Sequence, residues 1–166
     1  MKEEELFEIA DDYLDELQEN VRSISSAVEG KGVKIKVAPE GEKRREKLES
    51  LVSAARQLYD SRDDIKEILY IAKALREADA EANRIALELQ REIAAVEMRR
   101  ERLREFSQRL KELIEVYKEQ LNAVMKIVNA LPAETQEQFA RKLALIDRCN
   151  ALLSELSRAV MKLLTA

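Results

Sequence analysis

The residue types in this chain that could do chemistry are few, and they lack their usual companions. Carboxylates cluster at Glu3–Glu5, Asp11–Asp12 and Asp63–Asp64, a grouping that could hold a divalent cation. A carboxylate metal site in a helical bundle needs Glu-x-x-His pairs on facing helices, and the chain has no histidine. The same absence removes the usual general base, proton shuttle and commonest metal ligand. The single cysteine, Cys149, has no histidine to activate it and no second thiol to pair with. Its spacing sets it on an apolar stripe, where a structural role is expected. Gly30, Gly32 and Gly41 fit neither a Walker loop nor a dinucleotide-binding loop. No catalytic, metal-binding or cofactor-binding residue is therefore assigned, no cofactor is expected, and the chain does not read as an enzyme.

Two basic runs stand out, Lys43, Arg44, Arg45 and Lys47, then Arg99, Arg100, Arg102 and Arg104 with Arg109 beyond. Phosphate binding needs such donors on one face. Glu40, Glu42 and Glu46 interleave the first run, Glu97, Glu101 and Glu105 the second, and no aromatic side chain stands among them to stack a base. Ion-paired helix faces are expected, and nucleic acid is not expected as a partner.

The elements that must carry these residues are helices. Of 166 residues, 37% are charged and 4% aromatic. Three glycines and two prolines stand where average usage of about 7% and 5% would place roughly twenty. A chain with so few turn formers cannot build a sandwich or a doubly wound sheet, so the fold class is all-α. The N-terminal segment repeats Phe7, Ala10, Leu14, Leu17, Val21, Ile24 and Val28 at heptad spacing, predicting a helix over about 4–28. Gly30 follows as its left-handed cap. A linker spans 29–42, then helical pattern fills 43–131. Pro132 ends it, and a last helix is expected over about 134–164.

The long segment carries one seam through Leu48, Leu51, Ala55, Leu58, Arg62, Ile65, Leu69 and Ala72, and another from Ala82 through Ala86, Leu89, Ile93, Val96, Arg100 and Leu103 to Leu131. The first calls for its next core position at Arg76, the second at Asp79, a three-residue shift that reads as a stammer. The expectation is one helix over 43–131, more than about 120 Å long at ~1.5 Å per residue, in an elongated antiparallel three-helix coiled coil. The alternative is an up-down four-helix bundle with a turn near 77–83. Seam residues Arg62 and Arg100 read as register-setting or snorkelling arginines.

In the linker, Val33-Lys34-Ile35-Lys36-Val37 alternates apolar and polar residues. It reads as a packed loop, a tether, or a strand that pairs with another edge. The last helix runs Phe139, Leu143, Ile146, Cys149, Leu153, Leu156, Val160 and Leu163, with Leu145, Leu152 and Leu164 widening the stripe, so it wants two neighbours.

Net charge is −4. Residues 1–29 are strongly acidic and residues 99–131 basic, which makes them natural neighbours within or between chains. In a monomeric rod the seam of 71–98 would lie bare, so an antiparallel homodimer is expected. The partner-binding positions are then Ala82, Ala86, Leu89, Ile93, Val96 and Arg100 on the seam, Leu145, Leu152 and Leu156 on the last helix, and Val33, Ile35 and Val37 in the linker.

No apolar run approaches the ~20 residues that span a bilayer, and the acidic N-terminus does not resemble a secretory signal. A soluble, cytoplasmic protein is expected. The function expected is that of a non-enzymatic scaffold or adaptor acting by helix–helix recognition. The alternatives are a secretion or assembly chaperone that masks a partner's amphipathic helix and a BAR-like membrane-binding dimer; the second lacks a strong positive face, so membrane is not expected as a partner. In its leucine spacing, the stretch Asp147-Arg-Cys-Asn-Ala-Leu-Leu-Ser-Glu-Leu loosely resembles the last helix of flagellar export chaperones, a likeness covering under a fifth of the chain.

Overall fold

The heptad seam at the N-terminus makes a helix, α1 (Glu3–Val28), because its apolar residues fall on one side. Phe7, Ala10, Leu14, Leu17, Val21 and Ile24 are all buried. Gly30 stops it in the left-handed region at φ 77°, and its N–H donates to the Ala27 carbonyl at 3.1 Å. A side chain there would be strained by the backbone alone. The computed structural model describes residues 3–30, 35, 40–58, 64–96 and 102–165, and among them every regular element is helical: α2 (Glu40–Leu58), α3 (Asp64–Val96), α4 (Leu103–Asn129) and α5 (Gln136–Thr165) follow α1.

The helix expected over 43–131 is thus divided among α2, α3 and α4. The longest of these has 33 residues, about 50 Å at the helical rise, so the rod longer than 120 Å is not formed. Nor does the chain turn near 77–83, since α3 runs unbroken through those residues. Arg62 and Arg100, the seam arginines, lie outside the described residues.

Polar contacts fix the helix directions. Arg76 pairs with Glu49 at 2.7 Å and Arg44 with Asp79 at 3.4 Å, which sets α2 antiparallel to α3. Arg109 pairs with Glu88 at 3.0 Å while Gln120 reaches Asp79 at 3.4 Å, which sets α3 antiparallel to α4. Helices α1 to α4 pack in a ring, each on the next and α4 back on α1, and α5 lies in the groove between α4 and α1. One apolar core runs through all five helices.

The α4–α5 connection is tightly fastened. The hydroxyl of Thr135 accepts from the Gln138 N–H at 3.1 Å, and the Gln138 side chain accepts from the Thr135 N–H at 3.3 Å, a reciprocal capping box. Lys142 Nζ donates to the carbonyls of Asn129 at 2.6 Å and Leu131 at 3.1 Å. It thereby satisfies acceptors that the end of α4 leaves open and holds α5 against α4.

The acidic α1 finds cations on α2 and α5. Arg148 of α5 pairs with Asp11 at 2.7 Å and also with Asp15, and Lys162 pairs with Glu29 at 2.8 Å. These pairs advance together along both helices, which sets α5 parallel to α1, with Arg141 resting over the Phe7 ring at 5.0 Å.

Candidate functional site

Two features rise from this scaffold. The first is a polar network inside the four-helix ring. Arg44 of α2 and Asp79 of α3 are 5% and 3% exposed, and Asn20 of α1 and Gln120 of α4 are buried beside them. Arg44 Nε donates to Glu16 at 3.1 Å and its Nη1 to Asp79 at 3.4 Å. With its amide oxygen turned inward, Asn20 accepts from the same guanidinium, Nη1 at 3.1 Å. Lys47 closes the outer edge on Glu16 at 2.8 Å, and the Tyr117 phenol lies close enough to feel the charge of Arg44. Each of the four ring helices therefore contributes a polar group to one cluster. Balanced charges of both signs make its burial tolerable.

Burial dominates the electrostatics of this cluster. It raises the Asp79 carboxyl above the ordinary carboxylate value, with Arg44 opposing. It also pushes the phenols of Tyr13 and Tyr117 up. Asp79 Oδ2 and Gln120 Oε1 have no hydrogen-bond partner among the described residues, an arrangement that costs stability. Sliding α2 or α3 by a turn would part Arg44 from Asp79 and leave each charge buried alone, whereas sliding α1 or α4 would remove polar side chains that serve them. The three-residue shift in the apolar seam marks this place, because it brings Asp79 to a core position. Gln120 and Asn20, beside Leu121 and Val21, gave no sequence signal of burial.

The second feature is the outward side of α5. The helix buries Leu145, Cys149, Leu152, Leu156 and Ala159 against its neighbours. Phe139 (52%), Leu143 (43%), Met161 (59%) and Leu164 (64%) remain exposed. The face read from the sequence is therefore rotated: Leu145 and Leu152, placed at its margin, are at its centre, while Phe139 and Leu143 are outside. Burial raises the Cys149 thiol to about 11, so at neutral pH it is not a thiolate nucleophile.

The remaining expected partner positions divide in three. Ala82, Ala86 and Leu89 are buried inside the chain, where α4 covers α3, so the seam of 71–98 is not bare in a single copy. Ile93 and Val96 are half-buried toward the end of α3. Ile35 is buried, and its carbonyl accepts from the Gln90 side chain, which ties the linker to α3 at one end of the ring. Val33, Val37 and Arg100 lie outside the described residues, and no strand forms among those described. In the first basic run Arg44 is buried and Lys47 paired, so neither is presented to a phosphate.

Among the described residues no group of three or more acidic or cysteine side chains is placed to hold a metal ion, and no helix is long and apolar enough to cross a membrane. Comparison with family models, with curated proteins and with solved structures found no match for this chain.

Proposed function

We propose that the protein is a non-enzymatic interaction module, a helical scaffold or adaptor that recognises another helix with the outward side of α5. The observation that carries this reading is the exposure of Phe139, Leu143, Met161 and Leu164 on α5 after the helix has buried Leu145, Cys149, Leu152, Leu156 and Ala159 against its neighbours. Large apolar side chains exposed beside a closed core are the usual mark of an interaction site, and an amphipathic helix is the natural occupant of such a face. An assembly chaperone that masks a partner's helix is the second reading. It is favoured by the closed bundle, which presents this face without needing a long rod. A membrane-binding reading has less support, because many basic side chains are already ion-paired, Arg44, Arg109, Arg148 and Lys162 among them.

Site-specific photo-crosslinking in the native cell tests the reading. A photoreactive side chain at Leu143 or Met161 should give a discrete protein adduct, while the same group at exposed Lys73 or Arg84 of α3 should not. Absence of an adduct from both α5 positions, or equal yields from α3, would overturn it.

A further inference from the structure

Asp79 is loosely held for a buried charge. Hydrogen bonds to an ionised carboxylate are ordinarily about 2.7–2.9 Å long, and Lys47 meets Glu16 at 2.8 Å. The described residues give Asp79 two contacts, from Arg44 Nη1 and from Gln120 Nε2, both 3.4 Å long and both on Oδ1. Its second oxygen, Oδ2, is buried without a partner, and so is Oε1 of Gln120. Two side chains joined at one edge thus each keep an orphaned acceptor, and neither can serve the other while both only accept. One proton changes that. A protonated carboxyl donates from one oxygen and accepts at the other, which is the complement of a carboxamide.

Arg44 has other partners. Its Nε donates to Glu16 at 3.1 Å and its Nη1 to the inward-turned Asn20 oxygen at 3.1 Å, so two groups of α1 keep the guanidinium paired when Asp79 is neutral. The groups facing Asp79 are Arg44 and Arg45 of α2, Tyr13 of α1, and Tyr117 and Gln120 of α4, with Glu16 of α1 behind Arg44. Burial opposes the charged carboxylate more than the two arginines favour it. Burial also pushes both phenols up, so neither changes charge in acid.

We propose that Asp79 is a proton-operated switch between two helix pairings. Charged, it holds Arg44 and ties α3 to α2. On acidification Oδ2 takes a proton from solvent and donates it in a hydrogen bond to Gln120 Oε1. The two side chains then close a ring of two hydrogen bonds that ties α3 to α4, and Arg44 is left to Glu16 and Asn20 of α1. The other α2–α3 ion pair among the described residues, Glu49 with Arg76, is half exposed and adds little. Acid therefore loosens α2 from α3 while its hold on α1 is kept.

Carboxyl-carbon NMR of the full chain, labelled at its aspartates and with Asp79 assigned by its loss in Asp79→Asn, tests the switch. The Asp79 midpoint should lie above the ordinary 3.8. Gln120→Leu removes one bond from the charged carboxylate and two from the neutral acid, so it should lower that midpoint. A midpoint raised or unchanged by Gln120→Leu would mean that Gln120 serves the charged form, directly or through a buried water, and would overturn the proposal. Hydrogen exchange reads the helix pairing itself. Relative to α4, and corrected for the intrinsic effect of pH, α2 amides should exchange roughly tenfold faster once Asp79 is protonated, as expected for loss of one charged hydrogen bond. In Asp79→Asn the new amide can donate to Gln120 Oε1 in place of the acid proton. That variant should show the faster α2 exchange already at pH 7 and no further change in acid. Exchange of α2 and α4 that moves together, or an Asp79→Asn chain that keeps the pH dependence, would contradict the switch.

Discussion

Arg44 is the residue on which the interior turns. It is buried, its guanidinium serves Glu16, Asp79 and Asn20, and removing one partner of such a cluster leaves the others charged in a poor solvent. Arg44→Met should therefore lower stability by about 3–5 kcal/mol at neutral pH, the range for breaking a buried ion pair from one side, read by urea unfolding. The pH dependence has a definite sign. The folded-state value of Asp79 is already raised by burial, and loss of Arg44 raises it further. Its charge is thus unfavourable to folding above that raised value, and the penalty disappears as pH falls below the ordinary 3.8. The deficit of Arg44→Met relative to wild type should narrow between pH 7 and pH 4, and Arg44→Met/Asp79→Leu should recover more than half of it at pH 7. A deficit that stays constant with pH would contradict the assignment to Asp79. Cys149 gives a second residue-level outcome: with its thiol raised to about 11 and buried, it should react with a thiol reagent at pH 8 only at the rate of unfolding. Fast labelling of the native protein would show the α5 core to be open. The sequence supplied part of this picture. Burial of Cys149 followed from its stripe, and the seam shift pointed at Asp79. Arg44 was hidden in a run of basic residues, because a string of charges carries no mark of which member faces inward.

At the scale of the element, helix ends were the most readable features, since they depend on local chemistry. Gly30 takes the positive φ expected of a cap, and no heavy atom would meet a methyl group built on it. Gly30→Ala should cost about 1–2 kcal/mol, the left-handed penalty alone, measured by thermal unfolding; a neutral effect would mean that the cap relaxes. Thr135 starts α5 through its capping box, and Thr135→Ala should cost about 1 kcal/mol. Lys142 holds the same junction, so the loss should appear in unfolding followed at α5 as well as globally. What was not legible was the division of 43–131. Residues 59–63 and 97–101 contain neither glycine nor proline, and helix-forming composition on both sides conceals a boundary that tertiary packing imposes. The rotation of the α5 face has a similar origin. Two adjacent heptad seams lie on that helix, and spacing alone does not say which one α1 and α4 will cover.

For the molecule as a whole, the consequence of folding back is that α4 covers the Ala82–Leu89 seam of α3, removing the reason for a partner along it. On α5, Phe139, Leu143, Met161 and Leu164 remain exposed, and the proposed docking of another helix rests on them. One distance tests the closure of α4 over α3. Lys73 on α3 and Lys126 on α4 are both exposed and, by the α3–α4 register, sit at the same level of the ring. Cysteines placed at these two positions and spin-labelled, in chains diluted with unlabelled protein, should give a dipolar distance below about 30 Å, two packed helices lying 8–10 Å apart at their axes before the labels extend. A continuous helix through both positions would separate them by about 80 Å at its ~1.5 Å rise. A population at that longer distance would contradict the bundle and return the 71–98 seam to the surface.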